Sequence, residues 1–273
     1  CSSQCSVRQQ KQYRGLGVIT LSVNLNKTAL LRNSRDGGKP SVVDAARQAI
    51  AQGAGGITVH PRPDQRHIRP DDVYALADLL AKDYPGIEFN IEGNPFAGPT
   101  DAGYPGFRHL VEVTKPDQVT LVPDSYDQLT SDHGWDLAAP QPALEEAIAA
   151  YRAMGCRVSL FMDPVTTQMP TAKAIGADRI EFYTGPYAQT FWTYGVDDAQ
   201  TEDCFAQFCQ AAESALAAGL GINAGHDLDQ ENLALFATLP GLQEVSIGHA
   251  IMCEALQAGY QSTIKRYVEI LQQ

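Results

Sequence analysis

The chain has 273 residues, of which 44% are hydrophobic, and this is enough to bury the core of one large α/β domain. Its formal net charge of −12 at pH 7 repels polyanions and argues against nucleic acid as a partner. No apolar run approaches the ~20 residues that a membrane-spanning helix needs, and the six cysteines show no CxxC spacing. These features predict a cytoplasmic protein with reduced cysteines and no membrane partner.

Short β-branched runs alternate along the chain with helical patterns. Strands are predicted over residues 18–24, 56–60, 87–91, 118–121, 158–162, 179–183, 222–224 and 244–247. Helices are predicted over residues 41–52, 70–82, 107–114, 143–154, 171–175, 201–219, 232–239 and 255–271. Glycines at 53, 155 and 176 fall just past three of these helices, where a left-handed residue often ends a helix.

Eight strand–helix units in this length match a (β/α)8, or TIM, barrel, whose usual size is ~250 residues. A doubly wound open sheet is the alternative, but no GxGxxG follows the first strand. Residues 1–14 are predicted to form a polar, disordered extension, and residues 15–273 a single barrel domain. Long loops at 94–106 and 123–140 follow the third and fourth strands, on the face where barrel enzymes carry their chemistry.

Polar or titratable residues stand at the ends of nearly all the predicted strands, which a barrel would bring to one mouth. They are Asn24, His60, Glu92, Thr120, Asp163, Glu181, His226 and the pair Gly248-His249. Imidazoles, and carboxylates whose pKa is raised in a dry mouth, act as general acids and bases near neutral pH. Taken singly, Glu181 could instead be a buried salt-bridged acid and His226 a core histidine. No HxH or HExxH spacing occurs, so no metal site is predicted.

Residues suited to binding anions cluster near the same strand ends. Arg62, Arg66 and His67 lie on a loop stiffened by Pro61 and Pro63, and guanidinium groups suit phosphate or carboxylate. Backbone N–H groups at Gly248-His249 begin a helix, which is a common anion site. The run after the first strand supplies further amides and cations, namely Asn24, Asn26, Lys27, Arg32 and Arg35. Anion-binding regions with acid–base groups between them indicate a condensation of two phosphorylated substrates, although a basic surface loop would also explain the first run.

Eight segments of the chain also match known motifs in order. They are SVNLNKTALLRNSR, GITVHPRPDQRHI, FNIEG, TKPDQVTLVPD, LTSDHGWD, DRIEFYTGPYA, INAGHDL and VSIGHAI. Through them the chain resembles the pyridoxine 5′-phosphate synthase family from about residue 18 to residue 271. The resemblance implies a barrel with additional helices, no cofactor or metal, and a homo-oligomer, commonly an octamer. It implies condensation of 1-deoxy-D-xylulose 5-phosphate with 3-amino-2-oxopropyl phosphate to give pyridoxine 5′-phosphate, phosphate and water.

The resemblance also implies roles for individual residues. His60 and Glu92 look like general bases, His226 looks like the general acid, and Glu181 looks like the group that stabilises charge in the transition state. The deoxyxylulose phosphate would be held by Asn26, Lys27, Arg62, His67 and Thr130, and the amino ketone by Asn24, Arg35, Asp227, Gly248 and His249. Arg66 has no assigned contact.

Two positions depart from the family pattern. Many members have Asp-His where this chain has Asn26-Lys27, and a frequent glycine is replaced here by Asp227. A phosphate-sugar isomerase or aldolase that uses His60 and Glu92 on the same barrel is therefore kept as an alternative. A non-catalytic phosphate-binding protein is the third hypothesis.

Overall fold

The strands of the protein close into a parallel barrel. The computed structural model describes residues 18–125 and 128–273, so the predicted extension at residues 1–14 lies outside the described residues. The strands are β1 (Thr20–Asn24), β2 (Gly56–Val59), β3 (Glu88–Gly93), β4 (Gln118–Leu121), β5 (Arg157–Met162), β6 (Arg179–Tyr183), β7 (Gly221–Gly225) and β8 (Leu242–Ile247). Each strand pairs in parallel with the next, and β8 pairs with β1. The predicted (β/α)8 barrel is confirmed.

Helices follow each strand and cover the outside of the barrel. The described residues contain α1 (Asn26–Asn33), α2 (Val42–Ala51), α3 (Pro70–Asp83), α4 (Phe107–Thr114), α5 (Pro142–Ala153), α6 (Met169–Ala174), α7 (Gly185–Tyr194), α8 (Ala199–Ala217), α9 (Leu233–Phe236), α10 (His249–Ala258) and α11 (Tyr260–Leu271). No helix in this part of the chain has the length and apolar character needed to cross a membrane.

Three differences separate the observed helices from the predicted ones. Helices α1 and α7 were not predicted, because the first is short and includes two Asn and a Thr, and the second is rich in aromatic residues and Thr. The helix predicted over residues 255–271 was wrong in its limits. It is two helices, α10 and α11, which are separated at Gly259.

Gly259 separates these helices through its backbone, which has φ 83° and ψ 145°. This region is open almost only to glycine. A Cβ at this position would meet no atom within 4 Å, so any penalty of a side chain comes from the backbone alone.

We expect Gly259→Ala to lower the free energy of unfolding by about 1–3 kcal/mol in urea titrations. Gly86→Ala is the matched control, because a Cβ there also meets nothing within 4 Å and its backbone is not in the left-handed region. The control should change stability by less than about 0.5 kcal/mol. Equal effects of the two substitutions would show that the backbone of Gly259 is not the cause.

The interior of the barrel is polar, whereas the apolar core lies between the strands and the helices. Along β2, Ile57 and Val59 are buried in the apolar core, and Thr58 lies between them in the polar interior. The hydroxyl of Thr58 contacts Ser22 Oγ at 2.7 Å and accepts a hydrogen bond from Asn90 Nδ2 at 3.3 Å. Barrel interiors usually contain branched apolar side chains. Here the polar interior leads upward to the titratable groups at the mouth.

Candidate active site

A cavity of about 380 Å³ lies at the carboxyl ends of the barrel strands. It is lined by thirteen of the fourteen residues predicted from the sequence to form the site, drawn from positions 24 to 249. They are Asn24, Asn26, Lys27, His60, Arg62, His67, Glu92, Thr130, Glu181, His226, Asp227, Gly248 and His249. The remaining one, Arg35, is exposed on the turn after α1 and does not line this cavity.

His60 and Glu92 face each other at the ends of β2 and β3. His60 Nδ1 lies 3.8 Å from Glu92 Oε2, and His60 Nε2 lies 3.8 Å from Asp124 Oδ2. Glu92 accepts hydrogen bonds from Ser246 Oγ at 3.3 Å and Asn24 Nδ2 at 3.4 Å. Side chains from β1, the end of β2 and β8 thus meet around the buried carboxyl group of Glu92 on β3.

Burial controls the protonation of these groups. Burial, with a smaller contribution from the nearby Asp124, raises the pKa of Glu92 to about 8, although the hydrogen bond from Ser246 acts in the opposite direction. Burial and the neighbouring Glu92 hold the pKa of Glu181 well above its usual range. Burial, followed by the positive charge of Arg62, lowers the pKa of His60 well below the usual value for imidazole. The mouth of the barrel therefore contains a neutral imidazole, which can accept a proton, beside carboxyl groups that can donate one near neutral pH.

We expect Glu92→Gln to become relatively more stable than the wild type as the pH rises. The raised folded-state pKa means that the contribution of Glu92 to stability is fully present below its unfolded pKa of ~4.3 and is lost as the pH rises toward 8. Glutamine stays neutral throughout. The stability difference between variant and wild type should therefore grow by at least about 1.4 kcal/mol, the value of one pKa unit, between about pH 5 and pH 8.

Thermal or urea unfolding across this pH range measures the difference. The exposed Glu112, which pairs with Arg108 on α4 at 2.8 Å, provides the control variant Glu112→Gln. Its stability difference from the wild type should be nearly constant with pH. A constant difference for Glu92→Gln as well would contradict the raised pKa.

The carboxyl group of Glu181 occupies space that the absence of a side chain at Gly225 leaves open. Glu181 accepts a hydrogen bond from Thr120 Oγ1 at 3.4 Å. A Cβ at position 225 would lie 2.3 Å from Glu181 Oε1, so only glycine leaves room for this carboxyl group. The glycine of the INAGH segment thus makes space for Glu181 from the neighbouring strand.

Three basic residues line the β2 side of the cavity. Arg62 forms a buried ion pair with Asp124 and donates to the carbonyl of Gln128 at 3.2 Å. Arg66 donates to the carbonyls of Gln128 and Leu129 at 3.0 and 3.1 Å. Burial and Arg62 lower the pKa of His67 to about 3, so its ring is neutral. Both guanidinium groups therefore contact the loop that follows β4 as well as the cavity.

Sequence reasoning missed Asp124, Ser246 and the role of Arg66. Asp124 lies three residues after the end of β4. Ser246 lies on β8, two residues before Gly248. Both therefore stand near the carboxyl end of a strand, as the predicted site residues do. Ser131 Oγ donates to Asp124 Oδ2 at 2.8 Å, so a second residue of the long loop after β4 contacts the Asp124 carboxylate. Counting inward-facing positions two at a time along β8 would have found Ser246.

The side chain of Asn26 holds the backbone of His60 in place. Its Oδ1 accepts the backbone N–H of His60 at 2.9 Å, and Asn24 Oδ1 accepts the N–H of Asn26 at 3.0 Å. Lys27 lines the cavity beside them. In the described ranges 18–125 and 128–273, no group of three or more His, Cys, Asp or Glu residues could hold a metal ion.

Fold and site together define a class of protein: a TIM-barrel enzyme with an acid–base site and basic residues at the barrel mouth. The family model described as "Pyridoxal phosphate biosynthesis protein PdxJ" matches residues 21–273. The chain belongs to this family.

Curated relatives agree with the family match. A pyridoxine 5′-phosphate synthase of Xanthomonas campestris pv. campestris (strain B100) is 58% identical over 252 residues, which cover 92% of this chain and 95% of that protein. The synthase of Xylella fastidiosa (strain 9a5c) is 52% identical over 252 residues, covering 92% of this chain and 94% of that protein.

Solved structures with low identity share the fold. A mutant tryptophan synthase alpha-subunit from Pyrococcus furiosus has a TM-score of 0.59 at 12% identity and covers 93% of this chain and 97% of its own. Phosphoribosyl anthranilate isomerase from Thermus thermophilus has a TM-score of 0.53 at 15% identity and covers 93% of this chain and 98% of its own. At these identities the likeness concerns the barrel only.

Proposed function

We propose that this chain is a pyridoxine 5′-phosphate synthase. It condenses 1-deoxy-D-xylulose 5-phosphate with 3-amino-2-oxopropyl phosphate to pyridoxine 5′-phosphate, phosphate and water. The observation that carries this proposal is that thirteen of the fourteen residues assigned through the family motifs line one and the same cavity. The 58% identity to a curated synthase over 92% of the chain supports the same substrates.

The two substrates are assigned to different sides of the cavity. The deoxyxylulose phosphate contacts Arg62 and His67 on the β2 side, together with Asn26, Lys27 and Thr130. The amino ketone contacts Asn24, Asp227, Gly248 and His249, where the first turn of α10 directs backbone N–H groups toward an anion. Guanidinium groups and a helix start are both suited to phosphate, which supports the assignment of one phosphate group to each side of the cavity.

The reaction requires several proton transfers on one intermediate, including Schiff-base formation, loss of phosphate, addition of water and ring closure. His60 is kept neutral by burial and therefore serves as a general base. Glu92, with a pKa of about 8, exchanges protons near neutral pH as the second base. His226 acts as the general acid, and Glu181 stabilises the positive charge that develops between them.

The family resemblance further leads us to propose a cytoplasmic homo-octamer. Light scattering coupled to gel filtration should give a particle of eight times the 29.5 kDa chain mass. A monomeric particle would contradict the oligomer. Arg35 is the one assigned residue that does not line the cavity. The variant Arg35→Ala, measured in the assay described below, therefore tests its assignment to the amino ketone separately.

Purified protein given both phosphates should form a product with pyridoxine-like absorbance and release inorganic phosphate. Omitting either substrate should abolish both signals. Turnover of a single phosphorylated sugar without the amine would favour the isomerase or aldolase. No reaction of correctly folded protein with any of these substrates would leave the binding protein as the remaining hypothesis.

A further inference from the structure

His226 and Asp227 form a hydrogen-bonded pair at the end of β7. His226 Nδ1 lies 2.8 Å from Asp227 Oδ2, and on the other side of the ring His226 Nε2 lies 2.8 Å from Thr130 Oγ1. Both residues have positive φ angles, 84° for His226 and 58° for Asp227. Two consecutive residues other than glycine are thus held in a backbone region that such residues rarely adopt.

Buried neighbours hold this backbone in place. Thr184 Oγ1 donates to the carbonyl of Gly225 at 2.8 Å and also to the carbonyl of His226. Asn232 Nδ2 donates to the carbonyl of Asp227 at 3.1 Å, and the ring of Tyr183 packs edge-on against His226 at 5.3 Å. Local strain that several buried contacts maintain is typical of functional positions.

The carboxylate of Asp227 is directed at the imidazole and is ionised. The hydrogen bond with His226 lowers the pKa of Asp227, and the nearby His249 and Lys27 also lower it. The hydroxyl of Tyr183 is a further titratable group near this carboxylate. An ionised carboxylate only accepts hydrogen bonds, so Nδ1 of His226 must carry the proton that is shared with it. Nε2, which faces Thr130, is then the atom that gains and loses a proton.

We propose that Asp227 is a positioning residue whose carboxylate keeps a proton on Nδ1 of His226 and fixes the orientation of the ring. Nε2 then takes up a proton to give the imidazolium, which the carboxylate stabilises, and delivers that proton in the reaction, returning the ring to its neutral Nδ1–H form. This inference rests on the proposed function, because it takes His226 as the general acid. The side chain acts through His226, and the backbone N–H of Asp227 stays available to an anionic substrate.

Two substitutions separate this role from a structural one. Asp227→Gly removes the side chain and suits the positive φ, so the variant should fold and melt at or above the wild-type temperature. Asp227→Asn keeps the shape, but its amide can donate to Nδ1 as readily as accept from it, so the tautomer is no longer enforced. Both should lower kcat by about 10- to 100-fold while each KM changes by less than about threefold.

Asp101→Asn is the charge control, because Asp101 is an exposed acid on the loop after β3 and lies outside the cavity. It should leave kcat and both KM values unchanged. An Asp227→Gly enzyme with wild-type kcat would overturn the proposal, as would a loss confined to KM, which would indicate that the carboxylate only contacts substrate.

A second measurement does not depend on turnover. Nitrogen-15 NMR of histidine-labelled protein, with His226→Gln used to assign the signal, should show the neutral ring of His226 protonated at Nδ1. In Asp227→Asn a mixture of tautomers is expected. A wild-type ring that in its neutral form is protonated at Nε2 alone would overturn the proposal even in an active enzyme. If the wild type forms no product while the Nδ1 tautomer is observed, the proposed function fails but the pairing stands.

Discussion

His60→Ala is expected to lower turnover by about 100-fold or more, because the substitution removes the neutral imidazole that accepts a proton at the end of β2. The fold should persist, since the hydrogen bond to Asn26 Oδ1 is made by the backbone N–H of residue 60 and not by its ring. Steady-state assays with both phosphates measure the loss, and thermal unfolding tests the fold. The imidazole of His60 lies 3.8 Å from both Glu92 and Asp124, one at each ring nitrogen. Neither carboxyl group occupies the position of the ring, so we expect neither to replace it as a base.

His109→Ala provides the matched control for this experiment. His109 is exposed on α4, so its removal tests a histidine of the same chain outside the cavity. This variant should keep the wild-type rate. A His60→Ala enzyme of nearly full activity would refute the assignment of His60 as a base.

Arg62→Met is expected to destabilise the protein by about 3–5 kcal/mol, because it leaves Asp124 as a buried carboxylate without its cation. The double variant Arg62→Met/Asp124→Asn should recover most of this stability, since no unpaired charge remains and the amide oxygen can still accept from Ser131 Oγ. Urea titrations of the wild type, both single variants and the double variant give the coupling energy.

Activity measurements distinguish the two roles of Arg62, which are to pair with Asp124 and to bind the deoxyxylulose phosphate. The double variant should remain unable to use the deoxyxylulose phosphate at normal concentrations, although its stability is restored. The exposed pair Arg47–Asp83, with 3.0 Å between Arg47 Nη2 and Asp83 Oδ2, is the control cycle and should couple by less than about 1 kcal/mol. Equal coupling in the two cycles would contradict the dependence on burial.

The fold was largely predictable because its signals are local. Each of the eight strands was located to within two residues at either end from its β-branched or apolar run. The errors fell where local preference is weak. The polar sequence of α1 becomes helical against the barrel, and one apparent C-terminal helix is divided at Gly259 by a backbone angle that residue type alone does not require.

The membership of the site was also predictable, because residues at the carboxyl ends of parallel strands must converge in a closed barrel. Asp124 and Ser246 were missed, and Arg66 was named without a contact, although all three lie close to predicted site residues. Arg35 is the one predicted site residue that does not line the cavity. It follows the first strand closely in sequence, yet α1 carries it away from the cavity of its own chain.

The sequence by itself therefore determined the barrel and most of the residues at its mouth, because strand periodicity and order are properties of short segments. Only the tertiary structure decided how these residues behave. The raised pKa of Glu92, the neutral ring of His60, the ion pair of Arg62 with Asp124 and the alignment of Asp227 on His226 all depend on distance and burial. Distance and burial are set by contacts between strands and loops, most of them far apart in the chain.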